Sequence, residues 1–208
     1  IISDVNKDLI DTFKAVRDNP FELMQYLKNL KKNNSKEFYY KIREDFNKNK
    51  ILGIKRFAVF IYLNKTCFNG LYRVNSKNEF NVPYGKYKNP EIFNENILLE
   101  ASKLLKGAII KCQDYGEIIS SISSEDFVYL DPCYDPLKKT SFANYTSKRF
   151  TEKDNDKLSE FILNIKQRGA QVLLSNNLTE SVKSRYSKKE GYKWIIVECP
   201  RFINSVAT

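Results

Sequence analysis

Three carboxylates fall where a run of apolar residues stops: Asp4 after IIS, Asp114 just after AIIKC, and Asp131 after FVYL. If those runs are parallel strands, their C-terminal ends share one edge, and that edge is where sheets of this kind bind ligands. Three carboxylates there suit a small polar ligand. The plainer alternative is that each Asp caps the helix that follows it. The sharpest local pattern is Asp131-Pro132-Cys133-Tyr134. It brings a carboxylate, a rigid turn and an aromatic ring into one small space at a strand end, although a strand closing on Asp-Pro is also an ordinary turn.

What the chain lacks narrows the chemistry. It contains no histidine, which removes Ser-His-Asp and Cys-His nucleophilic sites and the HExxH zinc site. Its four cysteines, Cys67, Cys112, Cys133 and Cys199, form no CxxC pair. No metal centre or dithiol is therefore expected, and a reducing cytoplasm is the expected compartment. Among seven glycines no two are closer than Gly107 and Gly116, so neither GxGxxG nor a Walker loop can exist here. The longest apolar stretch, FAVFIYL at 57–63, is far short of the ~20 residues a membrane span needs. The net charge of +10 favours a polyanionic partner, either nucleic acid or an acidic membrane surface.

The elements that must hold such a site follow from periodicity. The 208 residues fit one domain, or a domain carrying a sizeable insertion. IISD reads as the end of a buried strand. From Val5 to about Thr66 apolar residues recur at helical spacing, giving three or four helices broken at Asn19-Pro20, Asn33-Asn34-Ser35 and Leu52-Gly53. Residues 67–92 lose that period and read as a loop or short hairpin region. Beyond Glu95 strands and helices alternate: a helix near 96–106, strand AIIKC, a short helix, strand DFVYLD, a polar loop, and a helix near 152–168. Strand AQVLLS, a short helix near 179–187 and strand WIIVEC follow. The expectation is an α/β fold with a mostly parallel sheet, interrupted near its start by a helical insertion.

At DPCY the sequence becomes recognisable. It resembles the DPPY motif of amino-group methyltransferases that use S-adenosylmethionine. The following residues 135–151, DPLKKTSFANYTSKRFT, resemble the loop after DPPY in Dam-type DNA adenine-N6 methyltransferases. NKTCFNGLYRVNSKNEFNVPYGKYK (64–88) is similar to their target-recognition segment, and LLSNN (173–177) and RFINS (201–205) match later family segments. The resemblance runs essentially end to end. It implies a Rossmann-like methyltransferase sheet, with residues 1–7 and 95–208 as the catalytic domain and 8–94 as an inserted target-recognition domain.

The resemblance also implies roles for individual residues. Asp131 and the carbonyl of Pro132 would accept the two N–H bonds of a flipped adenine's amino group, and Tyr134 would stack on the base. Asp4 would hold the ribose of S-adenosylmethionine, and Asp114 with Tyr115 its adenine. Double-stranded DNA would be the partner. Residues 51–90 carry seven Lys or Arg against the single acid Glu79, with Phe68, Tyr72, Phe80, Tyr84 and Tyr87 interleaved. That mixture suits a duplex-binding surface, although a solvated basic face is the usual reading of such a run. Arg73 would read a guanine in a GATC-like site. Phe68, Asn69, Leu71, Pro83 and Tyr87 would line the recognition contacts, and Lys86 would meet phosphate. For Phe68 and Leu71 the alternative is core packing.

Two departures from the family pattern stand out. Cys133 replaces the usual second proline, which removes a ring-fixed φ from the turn that aims the Pro132 carbonyl. The glycine loop for the cofactor's methionine end is expected before Ile1, so the chain reads as truncated at its N-terminus. Two rival readings remain: methylation of RNA or of a protein amino group, and an inactive sequence-specific DNA-binding relative. Whether a restriction partner exists, and in what oligomeric state the protein acts, are left open by the sequence.

Overall fold

Short polar side chains set the helix ends of the N-terminal half. In the computed structural model, which describes residues 1–136, 150–188 and 191–198, strand β1 (Ile2–Asp4) leads into helix α1 (Lys7–Asp18), whose N-cap Asn6 accepts from the Leu9 amide. Pro20 opens α2 (Pro20–Lys32), a position where its missing N–H costs nothing. Ser35 caps α3 (Lys36–Asn47) by accepting from the Phe38 amide, and α4 spans Gly53–Thr66. The three breaks expected from sequence are the three observed.

These helices surround one apolar cluster. Leu23, Leu27 and Leu30 of α2, Tyr39, Ile42 and Phe46 of α3, and Ala58, Val59, Tyr62 and Leu63 of α4 meet Phe80, Val82 and Ile92 from the irregular region. Arg56 ties α4 to α1 with a two-pronged bond to Asp8 at 2.6 and 2.9 Å, and its guanidinium lies 4.0 Å from the Phe46 ring centre. Helix α5 (Glu95–Leu105), capped by Asn94, precedes β2 (Ile110–Cys112). Strands β1 and β2 pair in parallel, with Asp4 opposite Cys112. All of this belongs to one compact unit, Ile1–Tyr115.

The described residues from Gly116 onward form a second unit. Its parallel pair is β3 (Phe127–Leu130) and β4 (Gln171–Leu174), in register from Phe127↔Gln171 to Leu130↔Leu174. Between them runs α6 (Glu152–Gln167), opened by a Thr151/Asp154 capping box and burying Leu158, Phe161, Ile162 and Ile165. A short α7 (Glu180–Arg185) follows β4.

The class is therefore mixed α/β with parallel strand pairs, the class expected from the sequence. One element differs from expectation. Residues 194–198 of WIIVEC join no ladder among the described residues. Ile195, Ile196 and Val197 are 81%, 65% and 71% exposed, so among the described residues this β-prone run has neither a paired edge nor a covered face. Cys199, RFINS and positions 137–149 of the loop after DPCY lie outside the described residues.

Candidate active site and nucleic-acid interface

Parallel pairing of β1 with β2 brings Asp4 and Asp114 to one strand edge. The Gln113 amide donates to the Asp4 carbonyl at 3.1 Å, extending the ladder past Cys112 to the residue before Asp114. Ser3 Oγ donates to the Gln113 carbonyl at 3.2 Å and fixes the same turn. Tyr115 then opens a short 3-10 segment (Tyr115–Ser121). One carboxylate oxygen of Asp4 accepts from the Asn6 amide at 2.6 Å, so Asp4 does brace the start of α1. The bland and functional readings of this residue are thus compatible, since a carboxylate has acceptor capacity beyond one bond.

In the second unit Asp131 lies one residue beyond β3, exposed, followed by half-buried Pro132 and Cys133. Tyr134 is 38% exposed. Burial pushes its phenol up, with Ser175 working the other way and Asp131 adding to the rise. Tyr134 therefore stays a neutral phenol near pH 7. The strand ladder runs on through the Ser175 amide, which donates to the Leu130 carbonyl at 3.0 Å. Tyr129 and Ser175 share a hydroxyl–hydroxyl bond at 2.9 Å.

Sequence reasoning missed what holds the far end of this turn. Asn176 Oδ1 accepts from the Asp135 amide and from the Asn177 amide, both at 2.8 Å. Asn177 Nδ2 donates to the Asp135 carbonyl at 2.6 Å, and the Thr179 hydroxyl donates to the Asp135 carboxylate. The available signal was an Asn-Asn pair directly after a strand, which reads as turn chemistry.

The 67–92 region forms a small antiparallel frame. Cys67 bridges Tyr84, and Val74 bridges Phe80. Phe68 N–H donates to the Pro83 carbonyl at 2.8 Å, and Gly85 N–H to the Thr66 carbonyl at 2.8 Å. A Cβ at Gly85 would lie 2.7 Å from the Cys67 carbonyl oxygen, so the close approach requires glycine. Asn69 sits at φ 52° and Lys86 at φ 57°, turning the chain at both ends of the segment.

Arg73 is held by Asn81. Its Nε donates to Asn81 Oδ1 at 2.7 Å and its Nη2 to the Asn81 carbonyl at 3.2 Å. Leu71 is 45% exposed, Lys86 and Pro83 are exposed, and Phe68 and Tyr87 are half-buried. The interleaved aromatics divide. Phe80 enters the core at 2% exposure, and Phe68, Tyr72 and Tyr84 pack against it. Aromatic spacing in this run therefore serves packing as much as any outer surface.

Helix α3 supplies the frame's missing neighbour. Tyr39, Arg43 and Asn47 stand one turn apart on one face. Tyr39 hydroxyl and Arg43 Nη1 both donate to the Val82 carbonyl, at 2.9 and 2.7 Å. Asn47 donates to the Phe80 carbonyl at 3.0 Å and accepts from its amide at 2.9 Å. Burial pushes the Tyr39 phenol far up, which keeps it a donor.

No group of three or more His, Cys, Asp and Glu side chains among the described residues is placed to hold a metal ion. Nor is any described helix long and apolar enough to cross a membrane.

Comparison with known proteins aligns the whole arrangement with one family. Residues 1–200 match the family model described as D12 class N6 adenine-specific DNA methyltransferase. The Type II methyltransferase M.MjaIII of Methanocaldococcus jannaschii is 49% identical over 98% of this chain and 73% of its own length. The DNA adenine methylase of Escherichia coli K12 is 34% identical, covering 99% of this chain and 73% of that protein. The DNA N-6-adenine-methyltransferase of Escherichia phage P1 is 33% identical over 89% of this chain and 25% of its own length.

Proposed function

The chain belongs to the D12 class of N6 adenine-specific DNA methyltransferases, and from that premise we propose how its residues divide the work of methylating adenine N6 in DNA. The methyl donor is S-adenosylmethionine, and the target is a flipped adenine in a GATC-like site. Residues 8–94 are the target-recognition domain, and 1–7 with 95–208 the catalytic domain.

Adenine N6 is a poor nucleophile, because its lone pair is delocalised into the ring. The Asp131 carboxylate and the Pro132 carbonyl accept its two N–H bonds and favour a pyramidal nitrogen whose lone pair is free to attack. Tyr134, 38% exposed, offers a ring face for the displaced base. Catalysis is then positioning plus electrostatics, with no covalent enzyme intermediate and no histidine.

The donor's chemistry is a methyl group made electrophilic by a positive sulfur. The residues present fit its nucleoside part: Asp4 and Asp114 share the β1–β2 edge, and acceptors there suit ribose hydroxyls and an adenine amino group. In the recognition frame, Arg73 is pre-set by Asn81 to meet guanine O6 and N7. Phe68, Asn69, Leu71, Pro83 and Tyr87 line the base contacts, and Lys86 meets phosphate.

The observation that carries this reading is the Asp131–Tyr134 turn at the end of β3, which sets an exposed carboxylate one residue beyond the strand and an exposed ring three residues later. The test is methyl transfer by the full-length protein to a GATC duplex, to duplexes altered at each single position, and by the Asp131→Ala variant. Asp131→Ala is expected to lose ~100-fold or more in turnover with duplex binding intact. Retention of more than about a tenth of wild-type turnover would remove Asp131 from this role. Equal methylation of every altered duplex would remove the GATC-like site.

A further inference from the structure

The catalytic turn is an arch with two fixed ends. At Leu130 the carbonyl is bonded to the Ser175 amide at 3.0 Å. At Asp135 both backbone polar groups are taken by side chains, the amide by Asn176 Oδ1 at 2.8 Å and the carbonyl by Asn177 Nδ2 at 2.6 Å. Asn176 Oδ1 also accepts from the Asn177 amide at 2.8 Å, which locks the two asparagines to each other. Thr179 joins the Asp135 carboxylate to the first turn of α7 by accepting from the Val182 amide at 3.2 Å. Between the two ends lie only Asp131, Pro132, Cys133 and Tyr134. Cys133, unlike a proline, leaves its own φ unconstrained by a ring. At the Asp135 end the restraint comes from outside the arch.

We propose that Asn176 and Asn177 are positioning residues for methyl transfer: their side-chain amides fix the Asp135 end of the arch and so aim the Asp131 carboxylate and the Pro132 carbonyl. This rests on the assignment of Asp131 as the group that receives the adenine amino protons. The two asparagines work through opposite ends of the amide. Asn176 uses its oxygen, as an acceptor for two backbone N–H groups. Asn177 uses its nitrogen, as a donor to a carbonyl. Asparagine-to-aspartate changes therefore have opposite consequences at neighbouring positions. Asn176→Asp keeps the acceptor, whereas Asn177→Asp sets a carboxylate oxygen against the Asp135 carbonyl oxygen.

The experiment uses the full-length protein, with duplex affinity, kcat and KM measured for Asn176→Ala, Asn177→Ala, Asn176→Asp, Asn177→Asp and Asp131→Ala. A duplex carrying 2-aminopurine at the target adenine reports the stacking of the extruded base by fluorescence. The alanine variants and Asn177→Asp should lose ~10–100-fold in kcat, the scale of a misplacement near ~1 Å. Their duplex affinity should stay within about threefold, well below the ~10-fold that 1.4 kcal/mol represents. Asn176→Asp should turn over at close to the wild-type rate. Should an alanine variant fail to fold, the two aspartate variants, matched in shape to asparagine, decide the matter alone. Equal effects of the two aspartate changes, an unchanged kcat, or a loss confined to KM would overturn the proposal. If Asp131→Ala keeps its turnover, the assignment of the reacting turn fails. If Asp131→Ala is inactive while the asparagine variants are unaffected, only the positioning role fails.

Discussion

Asn47→Ala tests whether the antiparallel frame of residues 67–92 hangs on α3. Asn47 makes both bonds of the Phe80 peptide, at 2.9 Å from its amide and 3.0 Å to its carbonyl. Phe80 is 2% exposed, so water does not replace a lost partner freely. An unpaired buried backbone group costs ~1–3 kcal/mol. Asn47 itself is half-buried, and water entering the vacated volume recovers part of that loss. The expected destabilisation is ~2–4 kcal/mol, against ~0.5 or less for an ordinary surface change. For a chain of this size that lowers Tm by ~5–15 °C. Asn47→Asp keeps the acceptor for the Phe80 amide but turns a carboxylate toward the Phe80 carbonyl, so it should recover little. Urea denaturation of the full-length variants, with m compared across the set, gives the free energies directly. Asn47→Ala within ~0.5 kcal/mol of wild type at unchanged m would show that α3 does not support the frame through this residue.

Other expectations follow from the same geometry. Arg73→Ala should relax discrimination at one base pair by ~1–3 kcal/mol, while Lys86→Ala weakens all duplexes alike and lowers the salt dependence by ~1 in slope; equal weakening of every sequence by Arg73→Ala would make it a phosphate contact. Gly85→Ala puts a methyl 2.4 Å from the Tyr87 ring and 2.7 Å from the Cys67 carbonyl. The ring can swing away but the backbone cannot, so a loss of ~1–3 kcal/mol is expected, and a melt matching wild type would refute the close approach. Burial pushes the Cys67 thiol up to about 12, so its thiolate is scarce at pH 7 and still scarce at pH 9. Alkylation followed by peptide mapping should therefore label exposed Cys112 and spare Cys67 across that range, and matched rates at the two sites would contradict this.

Much of the element order was legible because local chemistry and tertiary structure agree. Asn19-Pro20 and Ser35 are punctuation that works before any packing exists, and the apolar spacing of α2, α3 and α4 reports the face that the cluster buries. The strand-end carboxylates were legible for the same reason, since apolar runs stop where the ladders stop. WIIVEC differs from its expected strand over 194–198 because β-propensity states only that a run suits a pleated, covered surface, and among the described residues none covers Ile195, Ile196 or Val197. The supports of the site were invisible for a different reason. Arg43 and Asn47 look like the solvent face of a helix, and Asn176-Asn177 like a turn. Each acts on backbone groups 33 to 42 positions away in sequence, and a backbone partner leaves no trace in residue type.

The tip of the antiparallel frame is closed by its own residues. Asn75 Oδ1 accepts from the Lys77 and Glu79 amides, both at 2.9 Å, and its Nδ2 donates to the Glu79 carboxylate at 2.7 Å. Asn78 turns the chain at φ 61°. The bonds from α3 arrive beyond this point, at Phe80 and Val82. Residues 75–79 can therefore be exchanged or lengthened while the helical body stays as it is. A new tip needs only to begin and end where Val74 meets Phe80. The helices then act as a socket for an interchangeable tip, whose length and composition can drift while the body that holds it keeps its packing.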